Sequence, residues 1–308
     1  VVNIFSNMKG RLCNSKIDFI SIVIPLSFVD EEKLSFDMSE FGKNIPVKLL
    51  NGREQFKNGF MYEQKAQGLW IKFQCKPYKS GEHKSKISFN YKNVEGLQTI
   101  IQLIDKLFPG GYPHVLKNGH ITRVDLAIDF KDVKPADFMW GVSHKYRKCQ
   151  EFYNDTTGCL ETIYIGSTTS EKYVVIYDRR AANKGGAKSP GVSISDAPNY
   201  DVTRVEVRLQ PAIIVPLNQL SDLTKVLDTV HVLLASNMNK NIQSSLDLMM
   251  RVGNQRYLLR NQSMAEQFLP PKVCDIYRKQ LMDNPIGGLC DHFSDPISEL
   301  LSAHKLVA

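Results

Sequence analysis

The chain has 308 residues, 43% of them hydrophobic, enough to bury a real core in one large domain or two ordinary ones. Its net charge of +7 fits a polyanionic partner without requiring one. No run approaches the ~18–20 apolar residues of a membrane span, so no membrane partner is expected. The six cysteines lack CxxC or CxxxC spacing and read as reduced thiols of a reducing compartment, not as a zinc site or disulfide frame. The opening VVNIFSNMKGRLC has neither an initiating methionine nor the apolar core of a signal peptide, as in a truncated or processed start.

The predicted elements begin with a strand over Ile17–Phe28, with Ile20, Ile22, Ile24 and Leu26 on one face and Pro25 marking an edge or an end. Residues 30–60 are polar and mixed and yield no element. Leu69–Tyr78 alternates, with Leu69, Ile71, Phe73 and Cys75 inward and Trp70, Lys72, Gln74 and Lys76 outward. Lys86–Lys92 follows a Gly/Ser/Lys turn and sets Ile87, Phe89 and Tyr91 against polar neighbours. Cations beside an aromatic on an exposed strand face suit single-stranded nucleic acid, where bases stack and lysines track phosphates. An ordinary basic hairpin surface would look the same. Val94–Leu107 has helical spacing of Leu97, Ile100, Ile101, Ile104 and Leu107, and Pro109–Gly111 stops it.

His120–Phe130, HITRVDLAIDF, alternates without a break when read as a strand. Val124, Leu126, Ile128 and Phe130 form one side; Arg123, Asp125, Ala127 and Asp129 form the other. A buried face cannot carry three charges without partners, so this side is expected to face a cleft, a metal or water. Surface salt bridges on a half-buried strand are the plainer reading. Pro135–Cys149 is expected to be a helix whose basic tail, His144, Lys145, Arg147 and Lys148, is a solvated last turn or a phosphate contact.

Glu161–Arg180 then reads as a hairpin, Thr162–Ile165 and Lys172–Tyr177 around a Gly-Ser turn. Tyr173, Val175 and Tyr177 share a face, and Lys172, Arg179 and Arg180 bracket Tyr177. Nearby cations favour a phenolate, although strand tyrosines are commonly structural. Thr203–Leu209, TRVEVRL, repeats the earlier alternation, with Arg204, Glu206 and Arg208 outward. Asp125, Asp129 and Glu206 on one sheet would suit Mg²⁺ or Mn²⁺, and Arg123, Arg204 and Arg208 beside them would hold phosphate oxygens. That is the chemistry of phosphodiester handling. Beyond Pro211 the composition changes. Helices are expected over Leu217–Asn237, Asn241–Arg260 and Val273–Met282, and residues 285–308 carry no readable chemistry.

RVDLAIDF, then TIYIGSTTSEKYVVIYDR, then RVEVRL, preceded by KIDFISIVIP, resembles the Rep_trans family of replication initiation factors over Ile17–Leu209. These are rolling-circle initiators of plasmids and phages, with relatives among relaxases of integrative elements. The resemblance implies a metal-dependent, site-specific endonuclease that nicks one strand of a single-stranded or hairpin origin and stays joined to the 5′ phosphate through tyrosine. Tyr177 would be the nucleophile, Tyr173 a second tyrosine or a decoy. Asp125 and Glu206 would hold the metal, with Asp129 as a third ligand. Arg123, Arg204, Arg208, Arg179, Arg180, Lys172, Ser167 and Ser170 would lie near the phosphates, with Trp70, Lys72 and Lys76 on the strand path. No His-x-His pair is present, so metal binding must rest on carboxylates, with at most a histidine such as His114 or His120. His120 falls on the apolar side of its strand and is expected to be structural. The stretch DRRAANKGGAKSPGV after the tyrosine is richer in glycine than the family's basic tail, which leaves its conformation open.

The expected fold is α+β, a central, mostly antiparallel sheet with helices on one face as in nicking relaxases. Residues 1–210 would form the nicking domain and 211–308 a helical region that contacts the origin, a host helicase or a second copy, or simply covers the sheet. The expected location is the cytoplasm of a bacterial host. A non-catalytic origin-binding regulator and a conjugative relaxase are the alternatives.

Overall fold

The computed structural model describes residues 11–50, 52, 55–79, 81–143, 148–184, 200–234, 271–272, 275 and 289–302. Its frame is one antiparallel sheet. In spatial order the strands are β2 (Lys48–Leu49), β3 (Phe56–Gln64), β4 (Leu69–Pro77), β5 (Lys84–Asn90), β1 (Leu12–Pro25), β6 (His120–Lys131), β11 (Val202–Leu209), β10 (Lys172–Asp178), β9 (Leu160–Ile165) and β8 (Cys149–Tyr153). Two-residue β12 (Val215–Pro216) pairs with the start of β6, and β7 (Phe138–Val142) pairs with β13 (Val230–Leu234) in a separate ribbon.

One face of the sheet is apolar. Ile20 and Ile22 of β1, Leu126 and Ile128 of β6, Val205 and Val207 of β11 and Ile176 of β10 are all fully buried. Helices α1 (Phe28–Asn44), α2 (Val94–Leu107), α3 (Gly111–Asn118) and α5 (Ser294–Ser302) bury their own apolar stripes in the same core. Burial of this size is the main favourable term in folding. The fold is α+β with a largely antiparallel sheet, as the alternation of the strands predicts. No helix among the described residues is long and apolar enough to cross a membrane.

Three segments differ from their sequence reading. Residues 28–44, where no element was expected, form α1. Ser27 caps it, its hydroxyl accepting from the Asp30 N–H at 3.0 Å, and Glu31, Leu34, Met38 and Phe41 form the buried stripe. The described part of Pro135–Cys149, residues 135–143 and 148–149, is not a helix. A 3₁₀ turn at Pro135–Asp137 leads into β7, where Phe138, Trp140 and Val142 alternate inward against β13. The signal was a period of two that a short apolar run disguises. The helix expected over Leu217–Asn237 breaks into turns, with α4 (Leu220–Thr224) between 3₁₀ segments. β-branched Val230 and Val232 then continue as a strand. Asn241–Arg260, His144–Arg147 and, apart from Asp275, Val273–Met282 lie outside the described residues.

The β1–β6 pair at the centre carries two register shifts that matter for function. Ile17 pairs with Leu126 and Phe19 with Asp125, so Asp18 is an extra residue in β1. Farther along, Ser21 pairs with Arg123 but Ile22 with Ile121, which makes Thr122 the extra residue in β6. The expected unbroken alternation of β6 is therefore interrupted. The shift turns His120 away from the core face that Ile121 occupies, opposite to the sequence reading.

Gly119 fixes the entry into β6. A Cβ there would lie 2.4 Å from the Val115 carbonyl oxygen and 2.7 Å from Ile22 Cγ2. Overpacking of this kind costs about 1–3 kcal/mol. Gly119→Ala is expected to lower the urea midpoint by a corresponding amount without changing the slope of the transition, as equilibrium denaturation will show.

Candidate functional site

The opposite face of the sheet is polar, and the strand register assembles it. Arg204 pairs with Asp129 on one side and Tyr177 on the other, Glu206 lies between Ala127 and Val175, and Arg208 lies between Asp125 and Tyr173. Paired residues project from the same face. Three strands remote in sequence therefore bring Asp125, Asp129, Arg204, Glu206, Arg208 and Tyr177 into one patch.

Asp129 is 1% exposed, and its charge is answered by the chain itself. Arg204 donates from Nε and Nη2 to its two oxygens at 2.7 and 2.9 Å, and Arg179 Nη1 donates at 2.8 Å. Burial pushes the carboxyl's pKa up. The hydrogen bonds and charge of Arg204, with Arg179 and Asn14, outweigh that and hold it below the usual range. Asp125, 3% exposed, is ion-paired to Arg123, whose Nε donates to Oδ1 at 2.8 Å and whose Nη2 reaches Oδ2. Arg208 Nε lies 3.5 Å from the same carboxylate.

The sequence reading missed Asp18. Strict alternation puts it on the core face with Ile20, but the bulge turns it to the polar face, where it contacts Lys16 at 2.5 Å and Arg204 at 3.3 Å. Glu206 is the acid left least compensated, with Arg208 only at 3.9 Å. Burial, then the charges of Asp18 and Asp125, push its carboxyl up to about 7.

Tyr177 sits half-buried beside Arg204. Burial raises its hydroxyl pKa, Arg204 pulls it down, and Glu206, Asp18 and Asp129 push it up again. The net shift is upward, so the phenolate that flanking cations were expected to favour is not favoured here. Those cations are engaged elsewhere or distant. Arg179 holds Asp129, Arg180 lies 3.7 Å from Asp201, and Lys172 is five residues along β10, roughly 17 Å away. Ser167 and Ser170 close the β9–β10 turn, where the Ser167 N–H donates to Ser170 Oγ at 3.2 Å. Trp70 and Lys72 lie on the polar face in β4, whereas Lys76 is turned to Glu32 at 2.8 Å.

The carboxylates suit a hard divalent cation by type. Asp129 takes three hydrogen bonds from two guanidiniums, Arg204 and Arg179, whereas Asp125 takes two from Arg123 alone. Asp18, Asp125 and Glu206 are the better set, because Glu206 has no close partner among the described residues and its charge is opposed first by burial and then by Asp18 and Asp125, both of which a cation would offset. Among the described residues, no three acid, imidazole or thiol groups are drawn together closely enough to hold an ion as they stand.

No protein-family model matches the sequence, and no curated protein matches it. Among solved structures, the chain is similar to a rolling circle replication initiator protein from Geobacillus stearothermophilus. The identity is 13% and the TM-score 0.36, over 74% of this chain and 91% of that one. A likeness at that distance carries no argument about this chain, whose fold and site rest on the geometry above.

Glu206 gives a pH test. The folded chain keeps its proton up to about pH 7, the unfolded chain only to an ordinary glutamate value near 4.3. The folded state therefore binds more protons in that window, and stability falls as pH rises through it and levels off above. In chelator, Glu206→Gln is expected to remove that slope and to exceed the wild type above pH 7 by about 1–3 kcal/mol. Urea midpoints between pH 4.5 and 8 check it.

Proposed function

We propose that the chain is a rolling-circle replication initiator, a metal-dependent, sequence-specific endonuclease that nicks one DNA strand and rejoins it through a 5′-phosphotyrosine. The observation that carries this reading is the single sheet face on which Tyr177 and Arg204 lie beside Glu206, Asp125 and Asp18. A nucleophile, a fixed cation and hard oxygen donors on one face are the parts such an exchange requires.

Mg²⁺ or Mn²⁺ would be held by Asp125 and Glu206, with Asp18 in the place first given to Asp129, and would polarise the scissile phosphate. Lys16 and Arg123 must give way for it to bind. The Tyr177 hydroxyl oxygen attacks phosphorus, forming the phosphotyrosyl bond as the bond to the 3′ oxygen breaks, and the phenol proton passes to that leaving oxygen to give a 3′-OH. One phosphoester replaces another, so rejoining is the same exchange in reverse. Arg204 stands where negative charge develops on the tyrosine oxygen, and Arg123 and Arg208 meet neighbouring phosphates. Tyr173 is 7% exposed, stacked on Tyr164 with Arg208 over its ring, an arrangement that favours Tyr177 as the nucleophile.

One observation favours a second reading, a DNA-binding regulator without catalysis. Arginines hold both oxygens of Asp125 and of Asp129. The experiment is incubation of wild type and Tyr177→Phe with a labelled single-stranded library and Mn²⁺ or Mg²⁺, read on a denaturing gel. The expected outcome is a slow, protease-sensitive band from wild type alone. Cutting by both proteins without that band would mean a hydrolytic nuclease, and binding without cutting would mean the regulator.

A further inference from the structure

We propose that the polar sheet face carries two base-stacking platforms, one on each side of Asp125, over which a single DNA strand crosses perpendicular to the β-strands. This deepens the nicking reading and rests on it for the identity of the polymer.

The first platform is Trp70 of β4 against Phe19 of β1, ring centroids 5.6 Å apart. Phe19 is on this face because the Asp18 bulge sets it opposite Asp125. The Arg123 guanidinium lies 4.4 Å over the Phe19 ring while binding Asp125. On the far side of Asp125 the same sequence of contacts runs in mirror order. Arg208 lies near Asp125 and 5.2 Å over the Tyr173 ring, and Tyr173 stacks on Tyr164 at 5.9 Å with the planes 9° apart. Phe152 of β8, 51% exposed, closes the row edge-on to Tyr164 at 5.4 Å.

The row crosses strands β4, β5, β1, β6, β11, β10, β9 and β8, seven spacings or roughly 34 Å. That length calls for a polymer. Two guanidiniums share one carboxylate at its centre and can turn to phosphates, while the less buried rings of the row, Trp70, Phe19, Tyr164 and Phe152, offer π faces to bases. A duplex keeps its bases stacked inside, away from such rings. An extended peptide would add to an open strand edge, whereas β4 through β9 are paired on both sides. A single strand meets every term.

The sequence provides a reporter. It has two tryptophans, and Trp140 is fully buried, so only Trp70 can meet a ligand on this face. The experiment titrates full-length Tyr177→Phe, without divalent ion, with oligothymidylate of about 16 nucleotides and with an abasic strand of equal length. The expected result is quenching of tryptophan emission by oligothymidylate, lost in Trp70→Phe, and binding about tenfold weaker for the abasic strand, whose charge is the same. Tyr164→Ala is expected to weaken oligothymidylate by a similar factor. Equal affinity for the two strands, measured on protein with both platforms intact, would overturn the proposal, as would quenching that persists in Trp70→Phe. The gel assay separates this from the nicking reading. Quenching without a wild-type adduct sinks nicking and keeps the platforms; an adduct without quenching sinks the platforms alone.

Discussion

The buried pair between Arg204 and Asp129 is the constraint on which the polar face depends. Both groups are almost fully buried, at 5% and 1% exposure, and neither is tolerable there without the other. Removing one partner from such a pair costs roughly 3–5 kcal/mol, because a charge is left stranded. Its two parallel hydrogen bonds lock β6 to β11 in one register. That register also fixes where Glu206, Arg208 and Asp125 fall. Arg204 pairs across its other edge with Tyr177, so the strand register that places the guanidinium also places the tyrosine.

Charge on this face is distributed unevenly, and the chemistry follows from that. Asp129 and Asp125 are compensated by arginines, whereas Glu206 is left among acids with a distant partner. The carboxyl of Glu206 and the hydroxyl of Tyr177 both have their ionisation opposed, first by burial and then by neighbouring acids that leave a local shortage of positive charge. A divalent cation would make good that shortage, and a phosphate would draw on the arginines that now close the acids off. The two ligands are thus complementary in charge to what the face lacks and what it holds in reserve.

The aromatic rings have a different origin. Their spacing comes from the sheet, which repeats a side chain every strand on one face. Arg123 and Arg208 tie each ring pair to the central carboxylate by stacking on it while reaching Asp125. Ring, guanidinium and acid are therefore one continuous row, so a change at Asp125 is felt at Phe19 and at Tyr173.

The sequence by itself determined the strands. Period-two alternation in residues 69–77, 123–131, 172–178 and 202–209, and the helical spacing of Val94–Leu107, survive in the structure because one buried face imposes its period on each segment. It also placed Arg204, Glu206 and Asp125 on outward faces. Short or weakly amphipathic segments such as α1 and β7 were not legible, since their burial depends on neighbours distant in sequence. Only the tertiary structure decided which acids are spent on ion pairs and which remain. Asp129 and Asp125 look equivalent in RVDLAIDF, yet one faces Arg204 and the other Arg208. Nor does any local pattern betray Asp18 and Phe19, which share a face only because a bulge adds a residue against the partner strand. Register and bulges are set by pairing between strands, and a single strand carries no record of them.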